Sequence, residues 1–235
     1  MTDPVEGLAL YAVFVVAVTF HEAAHAWAAR AGGDLTAYAG GQVSLSPIPH
    51  MRREPFGMVM LPLISLSISG WPFGYASAPY DPRWARRFPR RAAWMALAGP
   101  VANLGLVLLV VALVRLGVGA GWLEPPVSVH FAQITVAAGS SSGTATGLAW
   151  ALSLVFSMNL LLFLLNMIPV PPLDGSGALP LLLPERWNDA YQAFVNQPYL
   201  GWIGILIAWQ IFGELFTPCF LFAIELLYPG VRYGP

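Results

Sequence analysis

The sequence predicts an all-α polytopic membrane protein with about four transmembrane helices and one re-entrant segment, in which a helix is followed by extended chain. Hydrophobic residues make up 57% of the 235 residues and charged residues only 10%, whereas soluble domains carry about 25% charged residues. Several apolar stretches also reach the roughly 20 residues that an α-helix needs to cross a bilayer. We therefore expect a single membrane-embedded domain, 1–235.

Four apolar segments have the length and the boundaries of transmembrane helices. The first ends at Gly32-Gly33, and glycine is typical of a helix C-terminus. The third ends at a cluster of prolines, which cannot continue a helix. The predicted spans are 8–30, 91–116, 147–168 and 200–228.

A shorter apolar run between the first two spans predicts a re-entrant segment over 56–81. Eight of the eleven arginines lie between the first and second spans, on both sides of this run: Arg30, Arg52, Arg53, Arg83, Arg86, Arg87, Arg90 and Arg91. Short arginine-rich loops stay on the cytoplasmic side, so the segment has to enter the membrane and return. Its glycines and prolines between 70 and 79 favour an extended return. Two short, tilted spans are the alternative.

The distribution of charge predicts the orientation of a multi-pass protein. The connection 117–146 contains Glu124 but no arginine or lysine, as expected for the outer side. The first span then runs inward, and its cytoplasmic end meets that of the third span. The net charge of −1 gives no indication of a nucleic-acid partner.

Within the first span the chain contains the pattern H-E-x-x-H, formed by His21, Glu22 and His25. Histidines four residues apart project from one helix face, so both imidazoles can reach one metal ion with the glutamate beside its open position. A zinc-bound water has a pKa of about 7, and Glu22 can take its proton. Packing histidines are the alternative, although three ionisable groups in one turn of a span are costly without a metal.

Zinc requires a third protein ligand from another part of the chain. Asp174 is the candidate, because three prolines end the third span just before it on the side where the histidines lie. An Asp-Gly turn at the membrane surface is the alternative. Glu214 and Glu225, in the last apolar segment, are the rival carboxylates. We predict one Zn²⁺ per chain, held by the two histidines and Asp174.

These motifs resemble those of the site-2 protease family of intramembrane zinc metalloproteases. The H-E-x-x-H pattern is similar to the zinc-binding helix of that family, and the stretch from Asn166 to Leu173-Asp174-Gly175 is similar to its second motif, whose aspartate is the third ligand. Gly99-Pro100-Val101-Ala102-Asn103 resembles a further motif. The resemblance covers about 20–175, and the absence of a visible PDZ or nucleotide-sensing domain is typical of a minimal form.

The resemblance implies a zinc metalloendopeptidase that cleaves the transmembrane segment of a single-span substrate protein after another protease has cut it. Glu22 would act as the general base, and Asn103 would donate to the oxyanion or to the substrate backbone, with a helix-packing role as the alternative. We also expect a prokaryotic cell membrane, with the active site towards the cytoplasm as the arginine distribution indicates. Because no sensory domain is visible, we expect a separate regulatory protein.

Substrate helices hide their peptide bonds, so a protease has to bind them as extended strands. The leg 70–79 can offer backbone pairing to such a strand, although its prolines limit the number of hydrogen bonds. A divalent-metal transporter and an inactive relative that binds transmembrane helices are the alternative functions. Transporters usually show paired repeats, which are not seen here, and the intact metal ligands argue against inactivity. His50 is interpreted as a surface or packing histidine rather than a second metal site.

Overall fold

A computed structural model describes residues 3–139 and 143–234 of the chain, most of them helical. The helices are α1 (Pro4–Ala31), α2 (Thr36–Ala39), α3 (Pro47–Arg53), α4 (Leu61–Ser69), α5 (Pro82–Arg87), α6 (Pro89–Gly119), α7 (Gly143–Asn166), α8 (Asp174–Ala178), α9 (Asn188–Val195) and α10 (Pro198–Leu227). A π-helical turn, Phe56–Met60, leads into α4, and two 3-10 turns, Leu179–Leu181 and Glu185–Trp187, lie between α8 and α9. The strands β1 (Leu123–Glu124) and β2 (Val136–Ala137) form one antiparallel hairpin. The predicted all-α fold is confirmed.

Four of the described helices, α1, α6, α7 and α10, are long and apolar enough to cross a membrane. They contain 28, 31, 24 and 30 residues, so at about 1.5 Å per residue each exceeds the hydrocarbon core of about 30 Å. The four-span architecture is therefore confirmed. Helix α7 ends at Asn166, shortly before the proline cluster that removes the donors needed for another turn.

The helices α1, α6 and α7 pack against one another and form the centre of the fold. Phe14 of α1 packs with Met58 of the π-helical turn and with Leu154 and Met158 of α7. Helix α10 joins α6 and α7 mainly through its C-terminal half, where Ile224 is fully buried. In an apolar 18-residue stretch of each helix, only 11% of α10 is buried, compared with 56% of α1. The last helix is thus the least enclosed of the four.

The segment between α3 and α5 leaves as a helix and returns to the base of that helix, and its entry into the membrane stays a prediction. Its helical part, which begins at Phe56 and ends at Ser69, is about 20 Å long and too short to cross a bilayer. The chain turns at Gly70 (φ 74°) and returns as irregular backbone. The Tyr75 N–H donates to the carbonyl of Gly57 at 3.1 Å, so the return leg lies back against the base of the helix.

Three side chains fasten the arginine-rich connections to the C-terminal end of α1. The indole N–H of Trp84 and the guanidinium of Arg91 both donate to the Gly32 carbonyl, each at 3.1 Å. The Asp34 carboxylate accepts from the Asp81 N–H at 2.8 Å. The start of α6 is therefore held beside the end of α1, and the two helices run in opposite directions.

Candidate metal centre

Three side chains that are distant in the sequence converge between α1, α6 and α8. The Oδ2 atom of Asp174 lies 2.9 Å from Nε2 of His21 and 3.3 Å from Nε2 of His25. His21 and Asp174 are 153 residues apart in the chain. The two imidazoles stand one helical turn apart, with ring centroids separated by 4.6 Å. The structure thus brings together the three residues predicted as metal ligands.

Glu22 lies beside this cluster and is 4% exposed. Ligand atoms of His21, Glu22 and His25 all lie within 4.8 Å of one another. Among the described residues, no hydrogen-bond partner is found for Oε2 of Glu22, although that atom is buried. A buried carboxylate oxygen without a partner is costly, so this position suits a group that accepts a proton from a water molecule.

The outer nitrogen of each imidazole is bound to a fixed acceptor. Nδ1 of His25 lies 2.7 Å from the carbonyl of Met95, and Nδ1 of His21 lies 2.5 Å from Oδ1 of Asn103. Both acceptors are oxygens, so each Nδ1 carries a hydrogen and donates it. The lone pair of each neutral ring is then on Nε2 and faces Asp174, which is the arrangement that orients metal-binding histidines.

The donor set fits a zinc ion. Two Nε2 lone pairs and a carboxylate oxygen face one another and repel unless protons or a cation lie between them. Two imidazoles with one carboxylate are the protein ligands of many catalytic zinc sites. A cation between these three atoms would favour the ionised carboxylate of Asp174 over its protonated form. The carboxylate is therefore available as a ligand.

The backbone of α6 forms one wall of the site at Gly99. A Cβ atom at this position would lie 2.5 Å from Nε2 of His21 and would also contact the ring of His25. Asn103 follows one turn later on the same helix face and reaches Nδ1 of His21. The glycine of the motif therefore makes room for the rings, and the asparagine binds one of them.

The turn before α8 presents Asp174 to the histidines. The Leu173 N–H donates to the carbonyl of Val170 at 2.9 Å, and the Pro171-Pro172 peptide bond is cis. A Cβ atom at Gly175 would lie 2.5 Å from the Met167 carbonyl, so only glycine lets α8 begin this close to the end of α7. The Asp-Gly pair is thus part of the turn and also supplies the carboxylate.

A cavity of about 540 Å³ opens onto this cluster. Glu22, His25 and Asp174 contribute to its wall, together with the return leg at 76–80. The end of α9 and the start of α10 also line it. The cavity therefore joins the metal cluster to an exposed backbone segment.

The remaining candidates lie apart from this cluster or differ from their predicted roles. Asn103 is fully buried, and its amide N–H groups donate to the Ala17 carbonyl at 3.2 Å and to Asn159 Oδ1 at 2.8 Å. Both amide hydrogens are thus engaged within the protein, and the predicted donation to an oxyanion has no free hydrogen here. Glu214 and Glu225 are exposed on α10.

His50 is buried, and its Nε2 lies 2.9 Å from the Ser44 carbonyl, which agrees with a packing role. The sequence did not predict a role for Met95, which contacts His25 through its backbone carbonyl. It also did not predict a role for Asn159, which contacts Asn103. A polar residue in the apolar α7 was a signal for Asn159.

Comparisons with known proteins point to the same class. A family model described as Peptidase family M50 matches residues 9–207. "Putative zinc metalloprotease YwhC" of Bacillus subtilis is 32% identical over 176 residues, which are 74% of this chain and 69% of that protein. "Putative zinc metalloprotease Rip2" is 28% identical over 191 residues in Mycolicibacterium smegmatis and 29% identical over 191 residues in Mycobacterium tuberculosis, in each case over 78% of this chain and 63% of the relative. No solved structure matches the chain.

The family match extends from α1 into α10 and includes both histidines, Glu22, Asn103 and Asp174. The chain spans about two thirds of the length of these relatives. The predicted resemblance, enzyme class and zinc cofactor are confirmed. The chain belongs to peptidase family M50, the site-2 protease family, and is a zinc metalloendopeptidase.

Proposed function

We propose that the protein hydrolyses peptide bonds within the transmembrane segment of a single-span membrane protein, on the cytoplasmic side of a prokaryotic cell membrane. The observation that carries this proposal is the convergence of His21, His25 and Asp174 beside a buried Glu22, within a fold of four apolar spans. Ionisable groups of this kind inside a membrane protein mark its functional site.

In the proposed mechanism His21, His25 and Asp174 hold the zinc ion, and Glu22 is the general base. Zinc, when bound, polarises the scissile carbonyl and acidifies the attacking water. Glu22 takes the proton of that water and later delivers it to the leaving amine. The Met95 carbonyl keeps the ring of His25 in the orientation that this chemistry requires.

The position of the histidines along α1 supports a site below the membrane surface. His21 and His25 precede Arg30 by nine and five residues, which corresponds to about 14 and 8 Å along a helix. The arginines between residues 83 and 91 lie near the C-terminal end of α1, where Arg91 donates to the Gly32 carbonyl. Since such arginines stay in the cytoplasm, the proposed site faces that side.

The return leg supports binding of the substrate as a strand that pairs through Ala76 and Ala78. The N–H of Tyr75 donates to Gly57, and the carbonyl of Ser77 accepts from Arg53 Nε at 3.2 Å. In an extended chain the backbone N–H and C=O groups of successive residues point to opposite edges. Those of Ala76 and Ala78 then point away from these partners, and within the described residues they have no hydrogen-bond partner.

The alternation changes the expected effect of the prolines in this leg. The backbone of Pro79 lies on the same edge as that of Tyr75 and Ser77, so its missing N–H falls on the edge that faces the protein. The edge proposed to bind substrate keeps every N–H from Ala76 to Ala78. The leg can therefore offer more hydrogen bonds to a substrate than its composition indicates.

An Ala78→Pro variant tests this register. The substitution removes one N–H from the proposed substrate edge, and a backbone hydrogen bond contributes about 0.5–1.5 kcal/mol. We expect KM for a single-span substrate to rise about two- to tenfold, with zinc content unchanged. Ser77→Pro is the matched control, because it removes an N–H from the other edge. Equal effects of the two variants on KM would contradict the register.

The size of the cavity supports a substrate that has already lost its outer domain. A space of about 540 Å³ holds a few residues of extended chain, whereas a folded domain of about 100 residues has a radius of gyration of about 13 Å. We therefore propose that another protease acts first. We also propose that a separate regulatory protein controls access to the site.

The proposed function is tested with purified protein in lipid vesicles and a model single-span substrate, prepared with and without a folded outer domain. We expect one cut inside the transmembrane segment of the truncated substrate, loss of this cut with EDTA, and recovery when zinc is added. The protein should bind about one zinc ion per chain. A cut outside the membrane segment, or a cut that persists in EDTA, would refute the proposal.

A further inference from the structure

We infer that Asn159 of α7 is a positioning residue that acts through Asn103 to fix which nitrogen His21 offers to the metal. The inference rests on the proposed role of His21 as a zinc ligand. Asn159 is 1% exposed and lies in an apolar span. Burying an amide costs free energy unless its hydrogen bonds are made, so its partners indicate why a polar side chain occupies this position.

The three side chains form a continuous relay from α7 through α6 to α1. The amide nitrogen of Asn159 donates to the Val155 carbonyl at 2.8 Å. Its Oδ1 accepts from Nδ2 of Asn103 at 2.8 Å. Oδ1 of Asn103 then accepts from Nδ1 of His21 at 2.5 Å. Each member is buried, so no bulk water competes for these groups.

Backbone carbonyls set the direction of every bond in this relay. The carbonyl of Val155 can only accept, so the NH₂ group of Asn159 faces it and Oδ1 faces Asn103. The NH₂ group of Asn103 must then face Asn159, and the Ala17 carbonyl at 3.2 Å requires the same orientation. Asn103 therefore presents its oxygen to His21, and the hydrogen of that ring lies on Nδ1.

If the side-chain amide of Asn103 were turned so that its oxygen and NH₂ group exchanged places, the tautomer of His21 would change as well. With its NH₂ group towards the ring, Asn103 would require Nδ1 of His21 to accept, and the hydrogen would move to Nε2. Nε2 faces Asp174 at 2.9 Å, so the nitrogen that faces the site would lose its lone pair. Asn159 opposes this reversal, because the reversed Asn103 oxygen would meet Oδ1 of Asn159.

Zinc affinity in Asn103→Leu, Asn159→Leu and the double variant tests this inference. Partners of this kind change metal affinity about 10- to 100-fold, and we expect the larger loss for Asn103→Leu and about tenfold for Asn159→Leu. Asn159 acts only through Asn103, so the double variant should bind zinc no more weakly than Asn103→Leu alone. Affinity is measured by competition with a chromophoric chelator, and Asn159→Ala replaces Asn159→Leu if the latter does not fold.

A second readout separates positioning from general damage to the fold. The imidazole ¹⁵N spectrum reports which ring nitrogen carries hydrogen, and we expect the Nδ1–H signal of His21 to shift in Asn159→Leu while that of His25 stays unchanged. Met158→Leu is the matched control, since Met158 is equally buried on α7 and such swaps are well tolerated. It should leave both readouts as in the wild type.

The failures of this inference and of the proposed function are distinguishable. If His21→Ala removes zinc binding while Asn159→Leu leaves affinity and the His21 signal unchanged, the relay is wrong and the metal site stands. Additive losses in the double variant also overturn the relay. If His21→Ala leaves zinc affinity unchanged, the proposed metal role of His21 is wrong, and the inference fails with it.

Discussion

Replacing Glu22 by glutamine is expected to abolish cleavage while zinc stays bound. Glutamine keeps the size and hydrogen-bonding shape of the side chain but cannot take a proton at neutral pH. General base catalysis contributes about 10²- to 10⁴-fold, so cleavage of a single-span substrate should fall at least a hundredfold. Cleavage is followed by co-expression with the truncated substrate, and zinc is measured in the purified protein.

Glu214→Gln is the matched control for this variant. Glu214 is also a glutamate within an apolar helix, but it is exposed on α10. We expect its replacement to leave both zinc content and cleavage unchanged. Turnover retained in Glu22→Gln would show that Glu22 is not the base.

Replacing Asp174 by alanine is expected to remove both zinc and activity. The change leaves two imidazoles as protein ligands, and catalytic zinc sites use three. Loss of a partner that only orients a ligand costs about 10- to 100-fold in affinity, so loss of the ligand itself should exceed that range. The zinc dissociation constant and the rise in Tm on adding zinc measure the effect.

Asp189→Ala is the control for this second variant. Asp189 lies on α9 and is exposed, so its replacement should leave zinc affinity unaltered. Wild-type zinc affinity in Asp174→Ala would mean that another carboxylate completes the site. In that event Glu22 is the first residue to test, because its ligand atom lies within 4.8 Å of those of both histidines.

Periodicity and spacing in the sequence were sufficient to predict the membrane fold and the principal cluster. Apolar length predicts the spans because backbone groups in lipid have to pair within a helix. The four-residue spacing predicts that His21 and His25 share a face, since the helical repeat is local. The distribution of arginines predicts that Asp174 lies near the two histidines, because it indicates which helix ends share the cytoplasmic side.

Contacts that depend on tertiary packing could not be predicted from the sequence. The role of Met95 comes from a main-chain carbonyl, which every residue carries, so its identity gives no signal. Asn103 was assigned to the oxyanion because its motif and depth were visible, whereas its contact with His21 depends on how closely α6 approaches α1 at Gly99. The limited burial of α10 likewise depends on which neighbours it meets.

The separation of 153 residues between His21 and Asp174 has a consequence for synthesis. A ribosome adds about 5–20 residues per second, so α1 exists for on the order of 10 seconds before α8 is made. During that interval the translocon has to accept a helix whose two imidazoles and carboxyl group have no completed site. Apolar residues elsewhere in α1 must offset this cost, and zinc capture can be completed only when the C-terminal part of the protein has emerged.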